Sequence, residues 1–264
     1  MDYTVGMSES SISSDLVGKK IFFLYPTVVV QNRIISELVQ QEYETYATRN
    51  KDALARLLRK YPDSVVFVDI NEEMKEKEWE SWIVGIMQDP QTKDVAIGIV
   101  SANDDELIKR KYLLAVKVRC GYTALKSDLD KAITRLLKVL HEINAKGRRK
   151  FIRATTANDS NTTLNLPHQG AFLKGQILDI SVAGISCTLD GSPDITKNTL
   201  FKDIQIKLHS NLLKAEGIVI GSRKENNETV YVILFTQRID PNVRTRIRKF
   251  IQQHLQTKMD AELK

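Results

Sequence analysis

Residues 64–101 read SVVFVDINEEMKEKEWESWIVGIMQDPQTKDVAIGIVS. Two short apolar runs, 64–70 and 95–101, enclose EKEWESWIVGIMQ, whose apolar residues recur at helical spacing, so the stretch spells strand, helix, strand. Apolar runs with little polar alternation belong to strands covered on both faces, as in a parallel sheet. The same rhythm extends outward. IFFLY (21–25) and YETYAT (43–48) come before it and RCGYTAL (119–125) after it, while NRIISELVQQ, DALARLLRKY and DDELIKRKYLLA carry helical periodicity between the runs. Past Leu125, SDLDKAITRLLKVLHEINAK continues as an amphipathic helix with Ser127 as its expected N-cap. Five strands alternating with five helices predict an α/β sandwich with a parallel sheet over residues 19–145.

From Ala145 the texture changes to Gly, Thr and Asn punctuation around short alternating runs: GAFLKGQILDI, GISCTL, FKDIQIKL, LKAEGIVIGS and ETVYVILFTQ. This pattern predicts a small antiparallel β-barrel. A basic helix, RTRIRKFIQQHLQTKM, closes it after Asp240-Pro241, where Asp caps and Pro occupies the first turn. Ile247, Phe250, Ile251 and Leu255 form one apolar stripe, which is expected to pack across the barrel.

Composition narrows the function classes. The chain has 264 residues, 42% hydrophobic and 27% charged, so disorder as the main state is excluded. Cys120 and Cys187 lie far apart without a CxxC, and the four histidines share no spacing, so neither a disulfide framework nor a metal site is expected. No run of 18 apolar residues occurs and MDYTVGMSESSISSDLVGKK lacks the order of a secretory signal, so a cytoplasmic location without a membrane span is expected. The net charge of +6 is unevenly divided. Residues 1–144 hold 20 basic and 22 acidic side chains, whereas residues 145–264 hold 19 and 11. The whole excess lies in the second part, where an anionic partner would be read.

Three strand ends of the first part carry a motif. Asp69 ends the third strand, Ser101 the fourth, and Lys126 follows the fifth. In order, length and these positions, residues 20–140 resemble the receiver domain of bacterial response regulators, a flavodoxin-like sandwich. The resemblance implies a phosphoacceptor at Asp69 with Ser101 and Lys126 beside it. The first strand departs from it, ending in Tyr25-Pro26-Thr27 where receivers carry the acidic pair that holds Mg²⁺. A pseudo-receiver with a vestigial site is therefore expected. Read without the family, Asp69 caps a loop, Ser101 caps the next helix and Lys126 is a solvated amine.

Two patches stand out in the second part: GRRKFIR at 147–153 and DISVAG at 179–184. Arg149 and Arg153 make RxxxR; Asp179, Ser181 and Gly184 make (D/N)xSxxG. In this order and spacing, residues 145–255 resemble the PilZ domain, which binds the bacterial second messenger cyclic di-GMP. The resemblance implies a six-stranded antiparallel barrel with a closing helix, and Arg149, Arg153, Asp179, Ser181 and Gly184 as ligand residues, with Arg148 as a further basic contact. The chemistry suits that ligand. Guanidinium forks read phosphates or the O6/N7 edge of guanine, and a carboxylate accepts from guanine N1 and N2.

The expected organisation is a flexible N-terminus (1–18), a receiver-like domain (19–145), a basic linker (146–153) and a PilZ barrel with its helix (147–264). The expected protein is a non-catalytic cyclic di-GMP effector with no metal, signalling through its receiver-like domain to an unidentified protein partner, with homodimerisation open. Two other functions compete. A response regulator phosphorylated on Asp69 lacks the acids at Tyr25-Pro26, and a nucleic-acid binder using the basic region has few stacking aromatics.

Overall fold

A computed structural model describes residues 18–126 and 128–264. Ser127 and residues 1–17 of the expected N-terminal segment lie outside the described residues. The chain divides into two compact units, one ending at Lys150 but also holding Gln256–Lys264, the other Phe151–Leu255.

In the first unit, strands β1 (Ile21–Leu24), β2 (Thr45–Thr48), β3 (Val65–Asp69), β4 (Ala96–Ser101) and β5 (Tyr122–Ala124) form one sheet in the order β2-β1-β3-β4-β5. All its pairings are parallel. Every residue of β1, β3 and β4 is buried, because helices cover both faces. Helix α1 runs as a π-helix over Val30–Ile35 and as an α-helix over Ser36–Gln40. Helix α2 spans Lys51–Lys60 and α3 Glu76–Gln88. Helix α4 starts as an α-helix at Glu106–Arg110 and ends as a π-helix at Lys111–Val116, and α5 spans Leu129–Glu142. This is the receiver-like, flavodoxin-like order expected.

The caps follow from short polar side chains at the helix starts. Asn50 accepts from Ala53 N at 2.9 Å, and Asp105 from Leu107 N at 2.8 Å. The α5 cap is Asp128, which accepts from Lys131 N at 3.1 Å. Edge strand β2 is blunted by a side-chain amide: Gln256 donates from Nε2 to Ala47 O and accepts from Ala47 N, both at 2.9 Å.

In the second unit, β6 (Ala154–Thr155), β7 (Thr162–His168), β8 (Ala171–Ser181), β9 (Gly184–Leu189), β10 (Leu200–Leu208), β11 (Asn211–Glu225) and β12 (Glu228–Phe235) make one antiparallel sheet. Its order is β6-β8-β7-β10-β11-β12-β9. Strand β9 also pairs β8, so six strands close into a barrel while β6 adds outside the ring. Closure abolishes the sheet's open edges. Helix α6 (Pro241–Glu262) starts where Asp240 Oδ1 accepts from Asn242 N at 2.7 Å. Ile247, Phe250 and Ile251 are buried in the barrel's core cluster, with Leu255 packed against it, as their stripe predicts. Among the described residues no helix is long and apolar enough to cross a membrane.

Candidate functional site

The barrel motif is built around a bulge. Ile177 and Ile180 are both wholly buried although three residues apart, which strict alternation along a strand forbids. Between β8 and β9 the register runs Ile177↔Cys187 and then Asp179↔Ser186, so the chain carries one extra residue at Leu178. The shift restores inward facing for Ile180 and turns Asp179 away from the core. Without it, Asp179 would share the inward face with Ile177.

The segment that follows the basic patch comes to lie beside this aspartate. Strand β6 pairs Ala154 with Ile180 and Thr155 with Asp179. Arg153, the residue just before β6, thereby places Nη1 3.6 Å from Asp179 Oδ1, and its side chain keeps 49% of its surface exposed. Ser186 Oγ donates to Asp179 Oδ2. The carboxylate is thus fixed by a hydroxyl and partnered by an exposed guanidinium, an arrangement that offers one acceptor and one fork to solvent.

Ser181 and Gly184 serve the turn in the structure. Ser181 is buried; its Oγ accepts from Ala183 N at 3.2 Å and donates to Gly184 O at 3.3 Å. A Cβ on Gly184 would sit 2.2 Å from Ile233 O, so β9 approaches β12 too closely for any side chain there. Arg148 is exposed and Arg149 half-buried, and among the described residues neither has a side-chain hydrogen bond or ion pair. Sequence reasoning missed Ser186, which belongs to no motif; a polar residue in the apolar run GISCTL was the available signal.

The receiver-like site is assembled differently. Asp69 at the end of β3 is 2% exposed. Its Oδ1 accepts from Asn71 N at 3.1 Å, whereas Oδ2 is buried with no hydrogen bond of ordinary geometry among the described residues, although the Thr27 backbone N–H also favours the charged form. Burial is the main reason its pKa is pushed up to about 6. Ser101 Oγ donates to Asn71 Oδ1 at 2.6 Å, so Asn71, which the sequence did not single out, joins the ends of β3 and β4. Ser101 does not cap the next helix, since Asp105 does. Lys126 is exposed and has no ion pair among the described residues. At the end of β1 stands Tyr25, buried and held at φ 53°, in place of an acid. Among the described residues, no pair of further carboxylate, His or Cys donors joins Asp69 into a metal-binding group.

Comparison with known proteins bears on each unit. Residues 147–253 match the PilZ domain family. No curated protein matches the chain by sequence. Among solved structures the chain is similar to the PilZ domain with c-di-GMP of YcgR from Escherichia coli, at 12% identity over 43% of this chain and 96% of that one, with a TM-score of 0.38. It is similar to the K. pneumonia MrkH–c-di-GMP complex at 20% identity, over 45% of this chain and 56% of that one, with a TM-score of 0.36. A response regulator from Thermotoga maritima is similar at 20% identity, over 47% of this chain and 99% of that one, with a TM-score of 0.37. At these identities and scores the structural likenesses add nothing to the fold, which stands on strand order and register.

Proposed function

We propose, from the PilZ domain at residues 147–253, that the protein is a non-catalytic cyclic di-GMP effector. The observation that carries this reading is the bulge-directed pairing of Arg153 with Asp179, which gives the two halves of the motif one common location on the barrel. Asp179 accepts from guanine N1 and N2. Arg153 and Arg149 take phosphate oxygens or the O6/N7 edge through bidentate forks, and Arg148 adds a phosphate contact. Ser181 and Gly184 set the shape of the turn that follows Asp179 and allow the ligand close to the backbone.

The free state suits exchange. An exposed ion pair such as Arg153–Asp179 contributes about 1 kcal/mol or less, so a ligand with two phosphodiester charges displaces it at little cost. Three arginines within residues 148–153 repel one another when the ligand is absent and are neutralised when it binds. Ordering that segment is how binding rearranges the receiver-like domain and its contacts with a protein partner.

The test is calorimetry on the full chain with cyclic di-GMP, comparing wild type with R149A, accompanied by limited proteolysis across residues 145–152. Saturable binding that R149A loses, together with protection of this segment by the ligand, is the expected result. Binding by R149A equal to wild type would remove the arginine from the site, and unchanged proteolysis would remove the switch.

A further inference from the structure

The four histidines are scattered in sequence, yet the barrel brings two of them together with a carboxylate. Asp159 lies in the loop between β6 and β7, His209 in the two-residue turn between β10 and β11, and His254 on α6. One ligand atom from each falls within 4.8 Å of the others. We propose that Asp159, His209 and His254 bind a divalent transition-metal ion of the Zn²⁺ type, with water completing its coordination.

The donor set is apt. Two imidazoles and one carboxylate are borderline ligands that suit zinc, and three protein ligands leave a position for water. Donor atoms around a tetrahedral zinc stand roughly 3.3 Å apart, given metal–ligand distances near 2.0–2.1 Å. Side-chain rotation closes the remaining gap, because all three groups sit at the rim of the barrel and His209 is half exposed.

The supporting shell is already present. His254 Nε2 lies 2.9 Å from Thr155 O, and since a carbonyl only accepts, Nε2 donates this bond. A backbone carbonyl holding the second nitrogen is the usual way a ligating imidazole is oriented. Asp159 is held equally firmly: Thr162 Oγ1 donates to Oδ2 at 2.6 Å and Asn161 N to Oδ1 at 3.0 Å. His209 Nε2 meets Asp159 Oδ2 at 2.6 Å, so without metal a proton occupies the place that the ion would take. The Phe250 ring lies 5.3 Å from the His209 ring and 5.7 Å from that of His254, giving the pair a shared apolar wall. His209 also holds φ 56°, a turn conformation that Gly or Asn adopts with less strain.

The position gives the ion a task. It would clamp α6 and the β10–β11 turn onto the loop that follows β6, and β6 begins one residue after Arg153. Metal occupancy would therefore stiffen the strand that sets the Arg153–Asp179 pair.

The experiment is a zinc titration of the full chain by calorimetry in a non-coordinating buffer, without nucleotide. One ion per chain is expected, with affinity reduced at least about tenfold in His209→Ala and in His254→Ala and unchanged in His141→Ala and His168→Ala. No saturable binding, or equal losses in all four variants, would overturn the site. Cobalt added to the wild-type chain tests the geometry independently of any variant's folding: visible d–d absorption of a tetrahedral ion supports the site, and a purely octahedral spectrum contradicts it.

Discussion

Two aspartates end core strands in this chain, and their surroundings point in opposite directions. Asp69 stops β3 inside the sandwich, 2% exposed, with one oxygen making no hydrogen bond of ordinary geometry among the described residues. Asp179 stands near the end of β8 on the barrel, turned outward by a bulge and met by Arg153 and Ser186. What differs is the backbone: β3 keeps its register to the end, whereas β8 slips by one residue just before its carboxylate. The first carboxylate is desolvated; the second is oriented by its partners and partly open to solvent.

The sharpest way to break this contrast is to delete each carboxylate in turn. Asp179→Ala removes a charge-assisted acceptor and leaves Arg153 without its partner, so cyclic di-GMP affinity is expected to fall by roughly 10- to 100-fold, whereas Asp69→Ala leaves it unchanged in the same titration. An acyl-phosphate donor with Mg²⁺ is expected to leave Asp69 unmodified by intact-mass measurement.

Stability gives the next effects in size. Gly184→Ala forces a Cβ against Ile233 O, which the barrel cannot move without opening β9 from β12; chemical denaturation should show a loss of about 3 kcal/mol. Asp69 supplies a pH signature. Its folded pKa of about 6 lies above its ordinary value near 4, so the folded chain binds more protons between these limits. Stability from this group is greatest below pH 4 and declines as pH rises through 6. Asp69→Asn lacks that slope, and the difference between variant and wild type should therefore grow in the variant's favour by up to about 3 kcal/mol from pH 4 to pH 7. A difference constant with pH would show that Asp69 is not the desolvated group. Ser181→Ala removes only the two turn hydrogen bonds, and a loss of about 1 kcal/mol is expected from the same denaturation curves.

Much of this was legible because apolar spacing speaks directly of burial. EKEWESWIVGIMQ is helical from its first residue to its last, and GISCTL is a strand over the same span. Strand β7, TTLNLPH, escaped notice because only Leu164 and Leu166 mark its buried face and Pro167 sits within it. Asp179 stood out through its motif, but the bulge that turns it outward shows only in the three-residue spacing of Ile177 and Ile180. Contacts between distant segments were not legible at all. Asn71 joining Ser101, Ser186 bonding Asp179, and His254 meeting the Asp159 loop each depend on strand pairing or helix docking that no local pattern encodes.

The barrel is proposed to read one cyclic dinucleotide through Asp179 and its arginines. A side-by-side calorimetric titration of the wild-type chain and Asp179→Ala with cyclic di-GMP, GTP and a short RNA tests it most directly. Saturable binding of cyclic di-GMP alone by the wild type, and its loss in the variant, is the expected result. Equal binding of RNA with a steep decline in salt, or wild-type affinity in Asp179→Ala, would contradict it.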